Sequence, residues 1–204
     1  MKKSIWIFFV LILTLSLCAC GKSSQHDTYK EIYQRYHKMS SFYASAKVTV
    51  RWEGAESTYA VRQFYEAPDK FALFVDAPEE VAGSGYTTKD GKFLLKSGFG
   101  QSAEVDISFP KEKNTLFLCD FFEEYYSSEE AHSSVNSAPL EQNTVLNCFL
   151  TNGKKDRFMQ NLTIDNKTFL PLILETYDID GCPRVTVEFT DFKRDCDIDQ
   201  RIFN

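Results

Sequence analysis

"AKVTVRW", residues 46–52, alternates without a break: Ala46, Val48, Val50 and Trp52 fall on one side, Lys47, Thr49 and Arg51 on the other. Successive side chains of a strand point to opposite faces, so a period of two marks a strand with one face buried. Glu53-Gly54 then turns the chain, and "STYAVRQFY" (57–65) and "KFALFVDA" (70–77) follow as strands joined around Pro68-Asp69. Two more are expected near 85–88 and 92–96, with Asp90-Gly91 as the hairpin turn, and another over 103–109. The first half is an antiparallel meander.

Upstream of this strand the period is that of a helix. Tyr29, Ile32, Tyr33, Tyr36 and Met39 share one face, and Thr28-x-x-Glu31 has capping-box spacing, so a helix opens at Asp27 or Thr28 and stops at Ser40-Ser41. Downstream, "KEKNTLFLCDFFEEYYSS" reads as a second helix opening after Pro110, with Leu118, Phe121, Phe122 and Tyr125 as its apolar stripe. Residues 127–139 read as a partly helical loop. Strands return over 144–152, 157–165, 169–179 and 183–194, with turns at Asn152-Gly153, Asp165-Asn166 and Asp180-Gly181. The tail "DCDIDQRIFN" is expected to add an edge strand ending at Phe203. The fold class is therefore mainly β (α+β): a curved antiparallel sheet, or unclosed barrel, of about 10–11 strands, with an N-terminal helix and a helical lid.

The N-terminus is of another kind. Lys2 and Lys3 precede an apolar run from Ile5 to Leu17, interrupted only by Thr14 and Ser16. It is shorter than the roughly 20 residues of a membrane span and suits a secretory signal. The run ends Leu17-Cys18-Ala19-Cys20-Gly21, which resembles a bacterial lipobox with Cys20 in the acylated position. The organisation expected is a lipoprotein signal peptide over 1–19, an anchor and tether over 20–26, and one domain over 27–204. Diacylglycerol on Cys20, with each CH₂ contributing about 0.8 kcal/mol, would hold the protein to the outer face of the cell membrane.

The chain of 204 residues carries a formal charge of −6, which becomes −8 once Lys2 and Lys3 are removed. A mildly acidic, mixed surface argues against nucleic acid as a partner. Beyond the signal stand Cys119, Cys148, Cys182 and Cys196 with no CxxC spacing, so no metal cluster is expected. Cys148 and Cys182 could bridge neighbouring strands, or all four could be free thiols, and three pairings are open if all oxidise. The 18 Phe and 10 Tyr can fill a core or line a groove for something apolar.

Several stretches together resemble the LolA/LolB-type lipoprotein-localisation fold: the lipobox, the helix leading into "FYASAKVTVRW", then "RQFYEAPDKFALFV", "TTKDGKFLL" and "LPLILETYDIDGCPRVTVEFTDFKRDCDIDQRIF". The resemblance covers most of residues 28–203. It implies a half-open barrel of about eleven strands whose helices plug an apolar cavity, used in Gram-negative members to shield acyl chains in transit. The lipid anchor is similar to that of the germination-lipoprotein (GerS-like) branch, which implies a non-catalytic scaffold that binds a cell-wall amidase. A membrane-anchored acceptor of lipids or lipoproteins is the alternative.

Candidate chemistry is sparse. His26, His37 and His132 have no metal-ligand or nucleophile neighbours at useful spacing. Asp195, Asp197 and Asp199 resemble part of a calcium loop but lack its closing Gly and Glu, and are expected on the exposed face of a terminal strand. Glu123-Glu124 and Glu129-Glu130 read as a solvated helix edge, or as a docking place for a basic partner. No catalytic, cofactor or metal site is expected. Leu118, Phe121, Phe122 and Tyr125 are the candidates for lining an apolar cavity.

Overall fold

A computed structural model describes residues 25–203, apart from 90–91, 100–101, 106–115, 130 and 139–140. The expected signal, Cys20, the Asp90-Gly91 turn and Glu130 lie outside the described residues. Helix α1 (Gln25–Tyr36) leads into β1 (Ser41–Trp52), β2 (Ala55–Glu66), β3 (Lys70–Ala77), β4 (Gly85–Lys89), β5 (Lys92–Lys96) and β6 (Ser102–Val105). Helix α2 (Leu118–Ser127) interrupts the strands. Then come β7 (His132–Ala138), β8 (Glu141–Lys154), β9 (Arg157–Asp165), β10 (Pro171–Tyr177), β11 (Pro183–Arg194) and a 3-10 turn over Gln200–Phe203.

The eleven described strands form one antiparallel sheet in the order β6-β5-β4-β3-β2-β1-β11-β10-β9-β8-β7. Sequential hairpins build each half. The two halves are joined where the first strand pairs with the last, from Phe42↔Arg194 to Val50↔Val185. On the outer face of this seam Lys47 meets its register partner Glu188 at 3.1 Å. Between Ser45 and Ala46 the register slips by one residue of β11. Thr190 takes up the slip, its hydroxyl donating to the Ser45 carbonyl at 3.1 Å. Phe189 and Phe192, three apart, consequently both face the helices and meet edge to face at 6.1 Å.

The inner face carries the main core. Phe42, Ala44, Ala46 and Val48 of β1 are buried there with Leu146, Leu162, Ile164, Leu174 and Val187 from the second half. Both helices cover them, and their apolar stripes complete the same cluster. A second, small cluster lies on the outer face, where Phe203 of the 3-10 turn packs against Phe64 and Ala72. The chain reaches it because Ser41 Oγ donates to the Cys196 carbonyl at 2.7 Å and Lys70 donates to Gln200 at 2.8 Å. The last residues form a strap across the back of β1–β3.

Several expectations change. Residues 132–138 are a strand, not a partly helical loop: an edge strand needs only main-chain pairing to β8, which serines provide as well as apolar residues do. The tail is the strap just described rather than an edge strand, so Asp195, Asp197 and Asp199 lie in a connecting segment. Asp195 is bound by Ser40 and Arg194, and Asp199 by Arg201. Strand β8 runs through Asn152-Gly153 to Lys154, with an irregular register after Phe149, so the turn falls at 155–156. Helix α1 starts at Gln25, which puts Thr28 and Glu31 inside it; Glu31 pairs with Arg35 one turn on, at 2.8 Å. Trp52 is 56% exposed, because it closes the β1–β2 hairpin where β3 no longer runs alongside.

The β9–β10 turn is held by one carboxylate. Asp165 accepts the Lys167 and Thr168 N–H groups at 2.9 and 2.6 Å and the Thr168 hydroxyl at 2.9 Å. These bonds, the Thr168 N–H foremost, hold its pKa below the ordinary value. The group's stabilising effect is therefore full above the unfolded pKa of about 3.9 and is lost as pH falls through the folded value. Urea unfolding of Asp165→Asn is expected to show a stability deficit at pH 7 that narrows at pH 3.

Candidate functional site: the cleft between the two helices

The four side chains expected to line a cavity, Leu118, Phe121, Phe122 and Tyr125, are all buried in the main core. Phe121 stacks on Tyr125 at 5.7 Å, and Phe122 stacks on Tyr36 of α1 at 4.5 Å. Tyr125 also approaches Tyr29 at 6.5 Å. The two helices are thus joined to each other ring by ring as well as to the sheet. Glu124, expected on a solvated edge, is buried because it lies three residues beyond Phe121 on the same broad face.

Beside this contact the surface opens into a cleft of about 370 Å³. The C-terminal end of α1 supplies Tyr36, followed by His37 and Met39, and β2 supplies Tyr65. From α2 come Cys119, Phe122, Glu123, Tyr126 and Ser127, a second stripe at helical spacing that the first stripe concealed in the sequence. Phe122 belongs to both. The rim residues His37, Glu123 and Ser127 are exposed, while Tyr36, Met39 and Phe122 form a buried floor.

The tyrosine hydroxyls and the thiol of the cleft stay neutral. The Tyr36 hydroxyl donates to the Phe169 carbonyl at 2.7 Å, and burial raises its pKa strongly. Burial first, then the nearby Cys119, Asp120, Glu123 and Asp69, push Tyr65 up to about 12. Burial also pushes up Tyr126, whose enclosed hydroxyl has no hydrogen-bond partner, and it keeps the Cys119 thiol protonated. His37 stacks on Tyr33 at 4.5 Å and meets the edge of Tyr126 at 5.7 Å.

Elsewhere the surface offers little chemistry. His132 is exposed at the start of β7, and His26 lies in the first turn of α1. Among the described residues, no group of three or more His, Cys, Asp or Glu is placed to hold a metal ion. Cys119, Cys148, Cys182 and Cys196 are free thiols, which decides between the alternatives left by their spacing. Among the described residues, no helix is long and apolar enough to cross a membrane.

The family model for YdcC-like sporulation proteins matches residues 2–203 of the chain. The chain belongs to the YdcC-like sporulation protein family. The sporulation protein YdcC of Bacillus subtilis is 23% identical over 96% of this YdcC-like chain, which spans 59% of the length of that relative. Among solved structures, the chain is similar to one chain in the structure of the CwlD amidase from Clostridioides difficile in complex with the GerS lipoprotein. The identity there is 25% with a TM-score of 0.51, covering 85% of this chain and 97% of the other. An uncharacterised conserved protein from Thermus thermophilus shares the fold at 12% identity and a TM-score of 0.53, over 86% of this chain and 92% of that one. This YdcC-like chain thus shares its open-sheet fold with a chain of the CwlD–GerS complex.

Proposed function

We propose that this YdcC-like chain is a non-catalytic lipoprotein, anchored through Cys20 to the outer face of the cell membrane, that acts as a binding scaffold for a cell-wall amidase. The observation that carries this reading is the likeness to the CwlD–GerS complex, which extends along 85% of the chain rather than over one motif. The geometry favours it in one further respect. The inner face of the sheet is occupied by the protein's own rings, so the surfaces left for recognition are the cleft, the outer face and the strand edges. A stable partner would cover on the order of 1,600 Å² in total.

The second reading, carriage of an acyl chain, draws support from the apolar floor of the same cleft. The two differ in what travels with the protein. The full-length chain, purified from its own membrane in mild detergent, is mixed with the purified cell-wall amidase of the same organism and sized by light scattering after gel filtration. A discrete complex, with no acyl chain retained by native mass spectrometry, is the expected result. Absence of a complex together with retained acyl chains overturns the scaffold reading. Phe121→Glu is unsuitable for this comparison, since at a core position it tests folding.

A further inference from the structure

We infer that one rim of the sheet, where β1 turns into β2, β3 into β4, β5 into β6 and β10 into β11, docks a basic face of the cell-wall amidase. The inference rests on the scaffold reading above and gives it a surface beyond the cleft, the outer face and the strand edges. Strand direction puts these four turns together. Trp52 pairs with Ala55 where the first hairpin closes, and Ala77, Gly85 and Lys96 lie at the same end of their strands. On the other side of the seam, Tyr177 pairs with Pro183 at that end too. In the order of the sheet each of these turns stands two strands from the next. Neighbouring strands are about 4.8 Å apart, so the turns recur about every 10 Å and span about 30 Å.

Each turn presents one large apolar side chain to solvent. Phe99 is 91% exposed, Val81 37%, Trp52 56% and Ile179 55%. Isolated exposed apolar residues are ordinary, whereas one per turn along a single rim is a pattern. Among the exposed large apolar side chains of the described residues, Leu170 alone stands at a turn of the opposite rim. The row is also held in place. Asp178 accepts the N–H groups of Asp180 and Cys182 at 3.0 and 2.8 Å, and the Ile179 N–H donates to the Lys155 carbonyl at 2.9 Å. A Cβ on Gly98 would lie 2.3 Å from the Ala82 carbonyl oxygen, so the loops that carry Phe99 and Val81 are in main-chain contact. Little ordering remains to be done when a partner arrives.

Charge identifies the partner's chemistry. Glu53 follows Trp52, Glu79 and Glu80 precede Val81, and Asp180 follows Ile179. All four carboxylates are exposed and none is in an ion pair with a described residue. The arginines of the same turns are taken: Arg51 by Glu56 and Arg184 by Asp178. Lys96 lies over the Phe74 ring, and Lys155, one turn beyond the row, has Asp156 beside it. Elements that lie on a bilayer combine apolar side chains with Lys and Arg, so carboxylates beside each apolar group disfavour a membrane. A protein face with lysines and arginines around apolar hollows answers both features. A contact of about 800 Å² per partner is about 30 Å across, the length of the row.

Trp52 makes the rim observable. The chain has one other tryptophan, Trp6, so Trp6→Phe grown with 5-fluorotryptophan places a single fluorine signal in the row. The full-length chain in mild detergent is titrated with unlabelled amidase, and binding is followed in parallel by calorimetry. The fluorine signal is expected to shift, and Ile179→Ser and the double variant Glu79→Lys/Glu80→Lys are each expected to weaken binding at least tenfold. Leu170→Ser, on the opposite rim, is expected to bind as wild type, and circular dichroism and melting check that all variants fold. A complex that leaves the fluorine signal unmoved, or unchanged affinity in both rim variants, overturns the rim assignment and leaves the scaffold reading intact. Failure of the wild type to bind overturns the scaffold reading and this inference with it. In phosphatidylethanolamine–phosphatidylglycerol vesicles without amidase, a spin-labelled lipid is expected to leave the fluorine line sharp. Broadening there gives the rim to the bilayer and overturns the inference.

Discussion

Phe121→Ala is expected to lower the unfolding free energy by about 3–5 kcal/mol. The ring is fully buried and touches both neighbouring rings of α2, Phe122 at 5.4 Å and Tyr125 at 5.7 Å. Deleting it removes apolar area from the core and leaves a space that the surrounding rings fill only in part, because they are braced against α1 and the sheet. A domain of this size has about 5–15 kcal/mol to lose, so the variant approaches the folding threshold at room temperature. Urea unfolding followed by circular dichroism measures the change. Phe99→Ala is the control: that ring is 91% exposed, and its removal is expected to alter stability by no more than about 0.5 kcal/mol. A deficit under about 1 kcal/mol for Phe121→Ala would mean that the helix is not packed as described.

Gly85→Ala is expected to cost about 1–3 kcal/mol, although only one methyl group is added. A Cβ at this position would lie 2.1 Å from the Leu73 carbonyl oxygen and 3.0 Å from the Phe74 Cα. Both are main-chain atoms, so no rotamer change relieves the contact, and β3 and β4 must move apart where Phe74 pairs with Gly85. The same loop depends on the Val75 N–H donating to the Ser84 carbonyl at 2.8 Å, a bond that the movement would stretch. Gly54→Ala provides the comparison. Its φ of +82° imposes strain of about 1–2 kcal/mol, but nothing lies within 4 Å of the added carbon. Strand separation in Gly85→Ala should therefore be visible as faster amide exchange in β4, whereas Gly54→Ala should leave the protection of β4 unchanged.

The strands were legible wherever one face is buried and the other wet. "AKVTVRW" and "RVTVEFTDF" declare themselves by alternation, although Trp52 is 56% exposed, Thr49 is buried and the slip opposite Ser45 turns Phe192 inward, and the stripe Leu118, Phe121, Phe122, Tyr125 follows from the helical period. Strand β7 was not legible, because pairing through the main chain makes no demand on side-chain polarity. The tail was misread for a related reason: Ile198, Ile202 and Phe203 are apolar enough for a strand, yet their burial on the outer face comes from hydrogen bonds to Ser41 and Lys70, more than a hundred residues away. The cleft was hidden differently. Cys119, Glu123 and Tyr126 form no uniform stripe, and only the approach of Tyr36, Met39 and Tyr65 makes them a site. Periodicity gives a residue its face; it does not say which strand lies next to which, and the pairing of β1 with β11 is not written locally in either.

That pairing governs when the molecule can exist. A ribosome has made six strands and a helix before the second half begins, and the first of those strands waits with one side bare until Pro183–Arg194 has been polymerised. The last long strand is the keystone: it enters between two finished half-sheets and closes the longest loop in the chain. Closure of that kind is slow, because the entropy of a distant contact is lost before its reward arrives. A nascent chain of this protein therefore carries its first half unjoined while the second is made, and becomes one body only once β11 exists.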